Sequence, residues 1–499
     1  MICSEYMKTC KLFHNLITKS RFVWAAIVNQ QSLEDNLAPF SIPVAKMSIT
    51  ELVHQASRRH RLRKVLARAQ RRQSNDSLPN LELPEASLGS QFTLVQNTSN
   101  GSENILRPRR SRLLPGGRWY LGLDIIDDRG HLACWDLHRC VEGSQSPPVA
   151  VTTSKLPFRD FYPVLNVQLF RESVTILLAS LSGEVGTSEW IEVVVLSWEG
   201  SRDELPHFEH PQPPLSVPSG SGQQYCLDGE LVLIVQGRRA KLWYWTLGTD
   251  RMIEWDLVGP QGGGATRAIL QRPLAIFAYG SSPHISVYHV HEHPSPPQLI
   301  DMSFPMIETS STGVHRLLMT LLDCWSPPSP DRETYIAARQ YKPYRRLIQS
   351  LRLRLYSLNA ERISDGEPSH LDVHVMDEDL PYSQVEPATF QRLPDALGLI
   401  TIWEHRFPYL RFFPRSSTDS DNLEDLILRG TVHLRSHSPS SSLSVTLPLP
   451  KHSPNLLHAQ GVENVAFCIY SGVLLIAPPL RLGEPRDAES SVYEAYTFL

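Results

Sequence analysis

Between residues 134 and 477 the chain repeats one pattern, a short β-rich run that closes on bulky apolar or aromatic residues. The endings are CWDL (134–137), VVVLSW (193–198), LWYWTL (242–247), ISVYHV (285–290), LRLRLYSL (351–358), YLRFF (409–413) and GVLLIA (472–477). They recur roughly every 45–65 residues, a stretched form of the ~40–50-residue period of propeller blades. A unit of that size makes a small sheet with two apolar faces and no means of covering either. Stacking the units around an axis covers both and leaves only short edges. The pattern predicts a mainly β fold over residues 105–499, a six- or seven-bladed β-propeller; two successive β-sandwich domains are the competing arrangement. Pro/Ser-rich insertions at 205–221, 325–332, 415–422 and 436–444 account for the uneven spacing, and a proline count of 39 against 27 glycines points to many turns and strand ends.

The chain ahead of this region has a different character. Residues 1–112 hold 17 Lys and Arg against 8 Asp and Glu, whereas the remainder holds 31 against 44, so a net charge of −4 averages two opposite surfaces. Tyr6, Cys10, Phe13 and Ile17 fall at helical spacing, followed by Phe22, Val23 and Trp24, which makes 1–47 a short helical segment. Ser48 and Thr50 offer caps for a basic helix over 48–72, with Leu52, Val53, Ala56, Leu62, Val65, Leu66 and Ala69 as its apolar stripe. Residues 73–104, rich in Ser, Asn, Pro and Glu, read as a flexible linker. The basic run from Arg58 to Arg72 carries eight Lys or Arg in fifteen residues. It reads as the solvated face of that helix, with nuclear import or a nucleic-acid contact as the functional alternatives.

Several function classes are not expected. The longest apolar window, 465–477, is interrupted by Ser471 and Gly472 and is too short for a membrane span. No apolar leader with a small-residue cleavage site opens the chain, and its seven cysteines are scattered without a CxxC pair. A disulfide framework or structural zinc site is therefore not expected, and a cytoplasmic or nuclear location fits. Residues 288–293 place His289, His291 and His293 on one strand face, a spacing that can offer imidazoles to zinc. The run ends at a Pro-rich loop with no paired Cys or HExxH context, and reads as a solvated strand edge, so no metal is predicted. The acidic 376–379 reads as an exposed loop. No nucleophile elbow, Walker or dinucleotide motif is present, so no catalytic residue and no cofactor are assigned, and the chain is expected not to be an enzyme.

The most specific stretch is LLPGGRWYLGLDIIDDRGHLACWDL (113–137). Pro115, Gly116 and Gly117 predict a turn, 118–125 a strand, 127–130 a reversal with Gly130 at positive φ, and 131–137 a second strand. Trp119 and Trp135 supply large buried area, and Asp136 is an acceptor for a preceding loop, although the usual Gly-His partner of a WD ending is not evident.

This stretch resembles the opening blade of mushroom-type fungal F-box proteins with a C-terminal WD40-like β-propeller. TCKLFHNLITKSRFVW (9–24) is similar to the end of an F-box, and 51–72 to the helix that links an F-box to its propeller. The front half of an F-box, with its Leu-Pro-x-Glu start, would lie ahead of Met1, so an F-box-like remnant is expected. The resemblance implies a substrate-recognition subunit of an SCF-type E3 ubiquitin ligase, with a propeller that binds a protein substrate. It places Cys10, Leu12, Phe13, Leu16, Phe22 and Trp24 against a Skp1-like adaptor; the same residues equally suit the core of a short helical cap. Pro115, Gly116, Gly117, Arg118, Trp119, Gly130, Trp135 and Asp136 are expected as fold determinants. The alternative is a β-propeller scaffold that has lost adaptor binding. Neither a membrane nor a nucleic acid is expected as partner.

Overall fold

The computed structural model describes residues 19–34 and 37–57, strand 87–97, most of 103–301, and, beyond 301, strands lying within 316–380, 412–447 and 465–497. Among the described residues the α-helices are α1 (Arg21–Glu34) and α2 (Ile49–Ala56), both near the N-terminus. After them the regular elements among the described residues are β-strands, apart from 3₁₀ turns at Leu137–Arg139 and Trp245–Leu247. Seven sheets follow one another along the described chain, five of them simple up-and-down meanders and all antiparallel except where Ser144–Ser146 pairs in parallel with Ser87–Asn97.

Blade 1 comprises Arg110–Leu113, Trp119–Ile126, Arg129–Asp136 and Ala150–Pro157. Blade 2 comprises Val164–Phe170, Ser173–Ser180 and Ser188–Ser197, with His207–Glu209 and Leu215–Pro218 sharing its outer edge. Blade 3 is built from Gln224–Asp228, Leu231–Gln236, Arg239–Tyr244 and Met252–Asp256, and blade 4 from Ala265–Gln271, Leu274–Tyr279, Ile285–His289 and Gln298–Asp301. Blade 5 uses Arg316–Leu321, Thr334–Tyr344, Leu347–Ala360 and Leu371–Leu380, and blade 6 Phe412–Phe413, Leu428–His433 and Ser442–Leu447. Blade 7 joins Val465–Cys468, Val473–Ile476 and Val492–Thr497 from the end of the chain to Ser87–Asn97 from its beginning. The first strands of blades 7 and 1, 1 and 2, 2 and 3, and 3 and 4 lie side by side. The fold is a β-propeller, and its last sheet is closed by an early strand.

The physics of the blades is a two-sided alternation. Strand Leu231–Gln236 (LVLIVQ) buries Leu231, Leu233 and Val235 with Phe277, Tyr279 and Tyr288 of blade 4, while Val232 and Ile234 pack with Ile191, Val193 and Trp243 on the blade 2 side. A sheet covered on both faces loses the polar positions that mark a one-sided strand. Fully burying such a side chain contributes about 1.5–3 kcal/mol. Between the first strands, amide side chains bridge neighbouring blades: Asn166 Nδ2 donates to the Tyr225 carbonyl (2.7 Å), and Gln168 Nε2 to Asp228 (2.7 Å). Gln224 accepts from the Ala268 amide at 2.9 Å.

Several expectations are corrected. The linker over 73–104 contains strand Ser87–Asn97, which pairs with Val492–Thr497 and buries Phe92 and Leu94 against Tyr493, Tyr120 and Trp135. Gly130 is not a positive-φ turn residue: it sits within strand Arg129–Asp136 opposite Ile125, and the pairing of Ile126 with Arg129 leaves only two residues for the reversal. The acidic 376–379 lies in strand Leu371–Leu380 rather than a loop, with Asp377 and Asp379 in register with Arg354 and Arg352. Helix α1 runs on to Glu34, well past Trp24. Of the expected basic helix over 48–72, α2 covers Ile49–Ala56; residues 58–72 lie outside the described residues. Ser48 caps α2 as expected, with Glu51 completing the reciprocal capping box, whose hydrogen bonds from Ser48 hold the Glu51 carboxyl below its usual range.

Candidate functional site

The helical segment and the propeller meet at the turn after α1. Trp24, Ala25, Ile27 and Val28 of α1 pack against Leu52 and Ala56 of α2 and against Ile42, Val44 and Met47 between them, a small core separate from the blades. Arg21 locks this cap by donating from Nη2 to the carbonyls of Val44 (2.7 Å) and Ala45 (2.8 Å). Ala38, by contrast, is buried in the core shared by blades 1 and 2.

Blade 1 grips that turn through the residues of its opening motif. Arg118 Nε and Nη2 donate to the two Asp136 oxygens at 3.0 and 2.7 Å, a bidentate pair with both side chains at most 5% exposed. The third arm of the same guanidinium, Nη1, donates to the Phe40 carbonyl at 2.6 Å. The Trp119 indole donates to the Pro39 carbonyl at 2.7 Å, and its ring lies 4.3 Å beneath the guanidinium. Phe40 takes a left-handed backbone (φ 53°), uncommon for a bulky residue, and its side chain is 42% exposed. Gly116 has φ 99°, and a Cβ there would stand 2.3 Å from Ser41 Cβ, so only glycine lets the motif's turn close on the cap.

Asp136 thus has its buried partner, and the partner is Arg118 rather than a histidine from a preceding loop. Asp136 also accepts from the His138 amide (3.1 Å) and lies 3.3 Å from Arg139 Nε. The signal was present in the sequence: in a hairpin joined at 127–128, Trp119 falls opposite Asp136, which places Arg118 beside it. The burial that surrounds this pair raises the Cys134 thiol far above its ordinary pKa, with the Asp136 charge adding to the effect, and pushes the Cys140 thiol up to about 11.

The sequence-predicted residues separate into distinct places. Cys10, Leu12, Phe13, Leu16 and Pro115 lie outside the described residues. Phe22 projects from α1 at 82% exposure, whereas Trp24 turns into the cap core with its indole N–H buried and unpaired. Gly116, Gly117, Arg118, Trp119 and Asp136 converge on the junction, and Trp135 fills the core between blades 7 and 1 beside Tyr120 (6.0 Å between ring centroids).

Two further polar clusters went unseen in the sequence because they join distant strands. Fully buried Glu192 accepts from the Ser154 hydroxyl, the Lys155 amide (3.1 Å) and His210 Nδ1 (2.8 Å), while His210 Nε2 faces the Thr152 hydroxyl at 2.8 Å. This chain ties the outer strand of blade 1 to blade 2 and satisfies a carboxylate that would otherwise be costly to bury. On the opposite face of the same strand, Glu189 accepts from the Tyr225 hydroxyl of blade 3, and burial together with that carboxylate drives the phenol strongly upward in pKa. Among the described residues no group of three metal-ligating side chains gathers, and no helix is long and apolar enough to cross a membrane.

No family profile matches the chain, and no curated protein matches it. Solved structures resemble it at low scores. The WD40 domain of Toxoplasma gondii coronin is 8% identical over 84% of this chain and 89% of that one, with a TM-score of 0.35. The β-propeller domain of the Trilobed protease from Pyrococcus furiosus is 8% identical over 74% and 100%, with a TM-score of 0.26. A putative 6-phosphogluconolactonase from Bacteroides uniformis is 10% identical over 70% and 91%, with a TM-score of 0.33. The propeller assignment rests on the strand pairing of this chain.

Proposed function

We propose that the chain is a non-enzymatic recognition protein, cytoplasmic or nuclear, in which the propeller holds a protein substrate and the N-terminal helices recruit a Skp1-like adaptor, as in the substrate-recognition subunit of an SCF-type ubiquitin ligase. One observation carries the reading. The helical cap is fastened to blade 1 through Arg118, Trp119 and Ala38, while Phe22 stands bare on its outer side. A recruiter does no bond chemistry; it raises the concentration of one bound protein near another, and a rigid joint between its two halves fixes that geometry. The similarity of 9–24 to an F-box end supplies the identity of the adaptor in this reading.

Purified full-length protein mixed with a Skp1-like adaptor tests it by size-exclusion co-elution. Co-elution that Phe22→Asp abolishes supports adaptor recruitment. Absence of co-elution in the wild type refutes it and leaves a propeller scaffold without ligase association.

A further inference from the structure

The third strand of blade 4 ends in a pattern that the recognition role does not use. Tyr288 and Val290 are buried in the apolar core between blades 3 and 4. His289 is the last residue of strand Ile285–His289, and His291 lies just beyond it with its ring beside that of His289. Their rings stand 4.9 Å apart between centroids at an interplanar angle of 66°. The Val290 amide donates to the Pro273 carbonyl at 2.7 Å, and the Tyr244 hydroxyl donates to the carbonyls of His291 (3.0 Å) and His293 (3.1 Å). The segment is thus pinned to blades 3 and 4 on both sides of His291. His289 Nδ1 is buried and meets no hydrogen-bond partner. An imidazole nitrogen buried without a partner has lost its water and gained nothing in exchange, which in a native fold calls for an explanation.

We infer that His289 and His291 form a two-imidazole chelate for a divalent transition-metal ion, with water completing its coordination. Two imidazoles with centroids 4.9 Å apart can share one ion at metal–nitrogen distances of about 2.0–2.1 Å, and imidazole favours Cu²⁺, Ni²⁺ and Zn²⁺ over the oxygen-seeking Mg²⁺ and Ca²⁺. Affinity for a given site of this kind is highest for Cu²⁺ and lower for Zn²⁺. His293, exposed in the following loop, extends the alternate spacing without being required.

The test is isothermal titration calorimetry on chelator-treated, full-length protein at pH 7.5, with CuCl₂ and ZnCl₂ in separate runs. The expected result is a saturable tightest site that binds Cu²⁺ more tightly than Zn²⁺ and is unaffected by MgCl₂ in excess. His289→Ala and His291→Ala should each weaken that site at least tenfold, while His207→Ala on the edge of blade 2 leaves it unchanged. Because His289 is partly buried, His291→Ala, with unchanged circular dichroism and Tm in the absence of metal, carries the decision if His289→Ala folds poorly. Absence of saturable Cu²⁺ binding by the wild type, or binding by folded His291→Ala within twofold of wild type, overturns the assignment.

Discussion

Replacing Asp136 by alanine isolates what the blade 1 motif does for the molecule. The substitution removes both oxygens that receive Arg118, whose side chain is only 5% exposed and cannot swing out to water. Breaking a buried ion pair by deleting one partner costs about 3–5 kcal/mol, because the remaining charge is left uncompensated. Arg118 retains the Phe40 carbonyl and the face of Trp119, which favours the lower end, about 3 kcal/mol. The His138 amide loses its acceptor as well. Hydrogen exchange followed by mass spectrometry reads the result locally. The Ser41 amide, bonded to the Ala38 carbonyl at 3.1 Å, reports the docked turn, and ~3 kcal/mol of lost stability there is roughly a hundredfold faster exchange. The double variant Arg118→Met, Asp136→Leu removes both charges and should recover most of the blade's stability, since an apolar pair of similar volume is often neutral or better. It should not recover Ser41 protection, because the Phe40 clamp is gone. The reasoning fails if Asp136→Ala exchanges Ser41 within threefold of wild type, or if the double variant is as unstable in urea as the single one.

Other expectations follow from packing and ionisation. Gly122→Ala would drive a Cβ to 2.5 Å from Pro108 Cγ and 2.9 Å from Trp135, and should cost about 1–3 kcal/mol in urea unfolding; a neutral result would contradict the packing. Tyr493→Ala deletes a buried ring stacked on Phe92 (5.9 Å) and edge-on to Tyr120 (5.8 Å), and should cost about 3–5 kcal/mol and expose strand 87–97 to proteolysis. Burial pushes the Tyr120 phenol up to about 12, so above the ordinary pKa near 10 the unfolded chain loses a proton that the folded one keeps. Stability should fall by about 1.4 kcal/mol per pH unit from pH 10 to 12 on this account, and Tyr120→Phe should flatten the slope. With their thiols held protonated, Cys134 and Cys140 should resist iodoacetamide at pH 8 in the native protein and react in urea, as peptide mapping would show.

The blades were legible because their signal is local. The first five endings, from CWDL to LRLRLYSL, all fall on the third strand of their sheets. YLRFF instead ends on the first strand of blade 6, and GVLLIA falls on the second strand of blade 7, so the recurrence marks sheets without fixing a strand's place in them. What escaped the sequence was non-local. Ser87–Asn97 looks like linker because its partner is about 400 residues away, and its apolar alternation at Phe92 and Leu94 is short. Gly130 was misplaced because the two strands pair as far as Ile126 with Arg129, which takes the glycine into the ladder. The junction was half visible: Gly116, Arg118, Trp119 and Asp136 stood out as a motif, but nothing local announced that their target is the backbone of Pro39 and Phe40.

The pairing of Ser87–Asn97 with Val492–Thr497 also sets an order of events during synthesis. The strand that closes the last sheet is made about 400 residues before Val492–Thr497, and until then Phe92 and Leu94 have only the blade 1 side of their core, Tyr120 and Trp135, to pack against. Blades 1 to 4 can form in sequence while the chain lengthens, each against its predecessor, but the seam waits for Val492–Thr497. A chain without Val492–Thr497 would keep most of its blades and lose this closure, because that one strand bridges Ser87–Asn97 and Val473–Ile476.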